Sequence, residues 1–474
     1  MTRRLTRHLL WTEPTPAPSA DVAAKKALVS SHALTKLVTT KEHPKAEEAS
    51  LDIYTTPHDR AIYLLHVGAE VEQALMVQYL YAGYSLGGTQ LVDTEHQRLV
   101  QQWRATVLEI AREEMGHLVT VENLLTLIGG PLSFQREDFP IPKDLYPFPF
   151  ELEPLTKKSL GKYVLAEMPD EEVIDALGLT DEIEEIRKYV GADKDRMAVH
   201  RVGIIYDSIR ALFTAPEQPK DPDPEKPPMF IASSDIQASS IRFQVNPSEW
   251  GLGYKDILIE TANDRTSAIN AIKAISVQGE GSTIGQFASS HFGKFLEIYR
   301  QFPGEDDWQP ARNTARNPTT DPNAPHERRI TKRLTLLWAG LLNLRYRMLL
   351  MYLVHSFRIE TPLRASDRTS RGLLISWSFG EMYNLRSITE ILMTLPMHEE
   401  DDLLAGPPFE MPYSLAIAAR DKDRWRMHRD LLIASQQYVK DLLKESPGQY
   451  ESYLKGLHSA NEKALGQVLT LIGG

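Results

Sequence analysis

WRATVLEIAREEMGHLVTVENLLTLIGGP (103–131) decides how this chain is read. Its apolar residues recur every three to four positions and the run stops at Gly-Gly-Pro, the pattern of one long helix with a glycine-then-proline terminator. Two carboxylates and a histidine sit in its middle. Helical neighbours at three, four and seven residues place Glu114 on a stripe with Val107, Ile110, Ala111, Leu118 and Val121, with His117 one turn on. Glu113 instead shares its side with Thr106, Glu109, Gly116 and Thr120, so it is expected to face water.

The helix before it repeats the anomaly. From Pro57 to about Leu86, Glu72 lies on a stripe with Leu65, Gly68, Ala69, Leu75, Met76 and Tyr79. An isolated carboxylate on a buried face costs several kcal/mol unless it is paired or ligates a cation. Glu-x-x-His on one helix with a glutamate from a facing helix is the arrangement of carboxylate-bridged metal sites. A buried Glu–His hydrogen bond without metal is the alternative. A further pair lies in VQGEGSTIGQFASSHFGKF: Glu280 and His291 would stand about 16 Å apart on a straight helix, too far to share an ion. The glycines flanking Glu280 permit a break that changes this.

Beyond these stretches, apolar helical patterning covers about 196–214, 264–302, 330–357, 371–395 and 422–444. Strand-like alternation is scarce, so the fold is mainly α, with four principal helices in the first 300 residues. Proline-rich stretches at 131–160, 215–230, 307–329 and 405–412 separate the helices. The longest apolar run, 334–357, is broken by Arg345 and Arg347 and reads as a buried helix rather than a membrane span.

Composition narrows function by exclusion. The 474 residues include no cysteine, so disulfides, thiolate catalysis and thiolate-held zinc or iron–sulfur clusters are ruled out, and a metal must use His, Asp or Glu. A formal net charge of -11 argues against nucleic-acid binding. The start, MTRRLTRHLLWTEPTPAPSA, has too short an apolar run for a secretory signal, and a soluble cytoplasmic protein without membrane partners is expected.

Several landmarks together resemble one family. They are EQALMVQYLYAGYSL from Glu72, EIAREEMGHLVTVENLLTLIGGP, FELEPLTKKSLGKYVLAEMPDE, VGIIYDSI, VQGEGS with SHFGKF, SFGEMYNL and AGPPFE. In this order, over about 58–410, they resemble the ferritin-like proteins related to iminophenylpyruvate dimer synthases of violacein- and rebeccamycin-type pathways. The resemblance implies a ferritin-like four-helix bundle with irregular insertions and additional C-terminal helices. The chain then divides into an N-terminal arm (1–57), a metal-binding bundle (58–303) with insertions at 131–195 and 215–263, a linker (304–329) and a C-terminal helical region (330–474). The ligands it implies are Glu72, Glu114 and His117, joined by Glu280 and His291. One departure stands out. The third helix carries Ile204, Ile205 and Tyr206 where a two-metal site would have a carboxylate, and Asp207 is its only acid. Whether one ion or two bind stays open.

The function so implied is a non-haem, iron-dependent oxidase or oxygenase, with manganese as an alternative metal. Dioxygen and a small amino-acid-derived substrate of secondary metabolism are its partners, and a homo-oligomer is a further expectation. Tyr79, Tyr81, Tyr84 and Tyr206 are candidates to line the substrate pocket, with Tyr79 and Tyr206 carried as catalytic candidates, and Arg242 as a bidentate clamp for a carboxylate. The competing reading is a non-catalytic metal-binding or scaffold protein of a biosynthetic pathway, with 307–329 and AGPPFE as interaction surface.

Overall fold

The computed structural model describes residues 56–141, 148–192, 202–214, 230–246, 249, 257–281, 285–304, 307–359, 364–365, 368–399 and 402–473. The N-terminal arm expected at 1–57 lies almost wholly outside them. The described chain is mostly helical, and its sheet is a two-residue antiparallel pair, Arg364–Ala365 with Arg368–Thr369.

Helix α1 (Pro57–Ser85) starts where Thr56 Oγ1 accepts from the Asp59 N–H and proline occupies the first turn. Helix α2 (Thr94–Leu127) is capped by Asp93, whose carboxylate accepts from the Glu95 and His96 N–H groups, and it ends at Ile128 and left-handed Gly129. The two pack antiparallel. Gly83 lies against Val107 and Leu108, Glu72 beside His117, and Ile62 beside Gly130. From Ala69 to Ser85 nearly every residue of α1 is buried, polar ones included, because other elements cover it on all sides.

Short helices complete the first half. Helix α3 (Lys157–Ala166) opens with a Thr156–Ser159 capping box and is buried from Ser159 onward. Helices α4 (Glu171–Ala176) and α5 (Thr180–Val190) follow it, α6 (Val202–Phe213) packs on α1, and α7 (Arg265–Gly279) packs on α6. The helical patterning expected over 264–302, interrupted at QGEGS (278–282), forms two helices. It breaks after Gly279, with left-handed Gly281, and α8 (His291–Gln301) restarts behind the Ser290 cap to pack on α3.

The second half bundles four further helices, α9 (Arg333–Ser356), α10 (Ser370–Leu392), α11 (Asp421–Glu445) and α12 (Glu451–Gly473), and its core is continuous with that of the first. Arg345, the charge that interrupts the apolar run, is buried in it; its guanidinium donates to Glu381 (2.8 Å) and Asn461 (2.5 Å). Among the described residues, no helix is long and apolar enough to cross a membrane.

The 307–329 stretch corrects the expectation of a linker. Its backbone is bonded to both halves: Arg312 N–H to Ser85, Ala315 N–H to Leu404 and Asn317 N–H to Leu152. AGPPFE is likewise no interaction surface. Residues 405–409 are buried, and the Glu410 carboxylate accepts from Thr319, Thr320 and Asn343. Unpaired backbone along such irregular chain would be costly to bury, and these bonds satisfy it.

Candidate metal centre

Four elements converge inside the first bundle. Glu72 comes from the middle of α1, Glu114 and His117 from one face of α2, Glu167 from the C-cap of α3, and His291 from the first residue of α8. None is more than 2 % exposed. They form two groups, each compact enough to hold a metal ion: Glu72, Glu114 and His117, and Glu114, Glu167 and His291. Glu114 belongs to both, because its oxygens divide. Oε2 lies 2.9 Å from His117 Nδ1 and Oε1 lies 2.9 Å from His291 Nδ1. The two imidazoles face each other across it, 5.5 Å between centroids.

His117 Nδ1 and Glu114 Oε2 are hydrogen-bonded, but three other inward-facing atoms are not. Glu114 Oε1 and His291 Nδ1 are close, yet both are buried without a hydrogen-bond partner, as is Glu72 Oε2 at 3.4 Å from His117 Nδ1. Ligand atoms about 2.1 Å from an ion and at right angles to one another stand about 3 Å apart, the spacing found here. Outward, His117 Nε2 meets Gln278 Oε1 (2.9 Å) and His291 Nε2 meets Glu113 Oε2 (3.0 Å). With Nε2–H donating to these outer oxygens, Nδ1 is the nitrogen of each ring that would face a cation; at His117 it lies in hydrogen-bond contact with Glu114 Oε2.

Electrostatics agree. Burial, and then the Glu114 charge, push the Glu72 carboxyl up to about 7. Burial disfavours imidazolium at His117, but Glu114 and Glu72 outweigh it and lift the ring to about 10; His291 is raised in the same way by Glu114, Glu113 and Glu167. Glu114 is held below the usual carboxylate range despite its burial, by His291 and His117. The centre carries an excess of negative charge that cations must balance, as protons or as metal.

Two tyrosines close it. Tyr206 donates its hydroxyl to Glu72, and Tyr79 donates to Glu167 at 2.5 Å. Tyr81 and Tyr84 point elsewhere, Tyr81 to the Ala315 carbonyl and Tyr84 beneath the Arg104 guanidinium. Gly116, the glycine of EEMGHL, admits the Leu258 backbone where a Cβ would collide with it.

The structure moves three expected residues. Glu280 is the C-cap of α7 and stands outside both groups, its carboxylate pressed on Gly203 of α6, where any Cβ would overlap it. Arg242 is exposed, stacked on Phe243, and clamps nothing at the centre. Glu113 is buried rather than solvated, because α8 lays His291 and Lys294 over its polar side (3.0 and 3.2 Å). Asp207 is exposed and paired with Arg210, so it does not supply the missing acid.

The carboxylate that completes the second group is Glu167, which periodicity did not single out. It stands in a segment expected as an insertion. Its one local signal is position: it follows SLGKYVLA, the part of a short helix that is buried throughout.

Residues 65–300 match the Ferritin-like family model, so this half of the chain belongs to the ferritin-like family. Two enzymes are similar over most of the chain. Dichlorochromopyrrolate synthase of Lentzea aerocolonigenes is 25% identical over 390 residues, 75% of this chain and 36% of that protein. The 2-imino-3-(indol-3-yl)propanoate dimerase of Chromobacterium violaceum is 25% identical over 387 residues, 73% and 33% respectively. The chain thus spans about a third of the length of these relatives. A ferritin-like protein of Caulobacter vibrioides with a solved structure is 18% identical, with a TM-score of 0.35, over 71% of this chain and 97% of that one.

Proposed function

We propose that this protein is a dinuclear non-haem metal enzyme, with iron the intended metal, that oxidises a small amino-acid-derived imine or keto acid. The observation that carries the reading is Glu114, fully buried and splitting its oxygens between two His–carboxylate groups. Glu72 and His117 would hold one ion, Glu167 and His291 the other, and Glu114 would bridge them. Iron bound there would supply redox chemistry with dioxygen as the oxidant.

The chain's own residues set the conditions. Tyr206 and Tyr79 fix the outer carboxylates by donating to them, leaving the remaining oxygens turned inward. Gln278 and Glu113 orient the imidazoles. Burial excludes bulk water, so a reactive intermediate would be kept from hydrolysis. The imine substrate class is suggested by one relative, the 2-imino-3-(indol-3-yl)propanoate dimerase. Joining two such molecules through a new C–C bond breaks one C–H bond in each and releases two protons and two electrons, all of which dioxygen would take up to leave as hydrogen peroxide.

Elemental analysis of wild type and Glu114→Gln, purified without a chelating tag, tests the metal. About two ions per chain in wild type and loss of both in the variant are expected. No uptake after anaerobic reconstitution with ferrous iron overturns the reading. Dioxygen consumption on adding an α-imino acid tests catalysis; two ions bound with no consumption would leave a non-catalytic metal protein.

A further inference from the structure

The two halves of the centre share one plan. Each has its own outer carboxylate held by a tyrosine hydroxyl, Glu72 by Tyr206 and Glu167 by Tyr79. Each shares Glu114, and each turns an imidazole Nδ1 inward. The difference lies behind the rings. His117 Nε2 meets the neutral amide oxygen of Gln278, whereas His291 Nε2 meets the Glu113 carboxylate. Glu113 is itself held in place by Lys294 (3.2 and 3.4 Å), which reaches on to Glu109 at the surface (3.1 Å).

We infer that Glu113 and Gln278 make the two ion positions unequal: the Glu114–Glu167–His291 position fills first and more tightly, and Glu113 is the positioning residue that makes it so. A carboxylate accepting the Nε2–H makes the opposite nitrogen a stronger donor than an amide does, and it locks the ring's angle more firmly. Such outer partners are worth about 10–100-fold in metal affinity. The sequence separates the two devices in an instructive way. Glu113 is adjacent to a ligand on α2 yet serves the histidine of α8, and Gln278 on α7 serves the histidine of α2. Each imidazole is therefore oriented by an element other than its own, so the packing of α7 and α8 on α2 sets the affinity order.

The inference rests on the dinuclear reading, and its test separates the two. Metal-free protein is titrated with Mn2+ at constant pH, with free Mn2+ followed by electron paramagnetic resonance. Wild type is expected to show two classes of site about tenfold or more apart. Glu167→Gln should remove the tight class and Glu72→Gln the weak one. Glu113→Gln should weaken the tight class by about 10–100-fold and leave the weak class in place, while Gln278→Glu should tighten the weak class. The Gln278→Glu gain is informative even if Glu113→Gln folds poorly, since a damaged protein does not bind metal better. Two ions bound with equal constants, or a tight class unmoved by Glu113→Gln in folded protein, overturn the inference alone. No uptake by wild type overturns it together with the dinuclear reading.

Discussion

Each half of the molecule buries a pair of facing histidines, and the pairs have opposite electrostatics. In the first, His117 and His291 lie 5.5 Å apart with an interplanar angle of 28°; in the second, His355 and His428 lie 5.1 Å apart at 19°. Burial disfavours imidazolium in both. Around the first pair stand Glu72, Glu113, Glu114 and Glu167, and they override burial, so those rings are raised. Beside the second, among the described residues, stand one carboxylate, the partly exposed Asp421, which accepts from His355 Nε2 at 2.7 Å, and the opposing charge of Arg424. There burial wins. His355 is lowered, and His428 is driven well below its usual range by burial and by His355. The second pair is a chain of neutral rings, Asp421 to His355 Nε2 and His355 Nδ1 to His428 Nε2 at 2.9 Å. Depth alone does not set a histidine's charge; the count of carboxylates within reach does.

The contrast extends to balance. The second bundle's deepest charge, Arg345, is matched one to one by Glu381, whereas the first bundle's carboxylates outnumber its buried cations. The largest effect is therefore expected from unbalancing the second bundle. Arg345→Met leaves Glu381 buried without its cation, with only the Asn384 amide still donating to it, and should cost about 3–5 kcal/mol in urea denaturation. The double variant with Glu381→Leu should recover most of it. No recovery would mean that the pair does more than neutralise itself.

Adding cations is the matching manipulation of the first bundle. Mn2+ at 100 times its dissociation constant should stabilise the chain by about 2.7 kcal/mol per ion, read as a rise in Tm with metal concentration. Glu114→Gln should abolish the rise, and a substitution in the second pair should leave it intact. A rise that survives in Glu114→Gln would place metal elsewhere.

The smallest effect is the acid sensitivity of the second pair. Because His355 and His428 are lowered in the folded chain, only the unfolded chain takes up their protons as pH falls below about 6.5. Stability present above that pH is lost below it, by up to about 1.4 kcal/mol per pH unit for each ring. In metal-free protein the first pair acts in the opposite direction. Its raised rings stabilise the fold below about 6.5, and that contribution fades as pH rises toward about 10 for His117. Denaturation midpoints at pH 7.5, 6.5 and 5.5 should fall less steeply for His428→Leu than for wild type. An unchanged slope would mean that His428 is not held neutral.

The helices and half of the centre were legible because helical periodicity is a local property. Glu72, Glu114 and His117 stand out as polar residues on apolar stripes, and the spacing of Glu114 and His117 places both on one face whatever packs against it. The mainly helical fold followed from the same periodicity. What three dimensions decided was everything that depends on a second element arriving. Glu167 acts from a helix end, where no stripe marks it. His291 reaches Glu114 only because the chain breaks after Gly279 and returns as α8, while Glu280, on the near side of that break, turns to Gly203 instead. Glu113 sits among polar neighbours on its own helix and is nonetheless buried, since the face that covers it belongs to α8. A side chain's position on its helix is written in the residues around it; its burial and its partners depend on tertiary packing, which places atoms distant in sequence within 3 Å of one another.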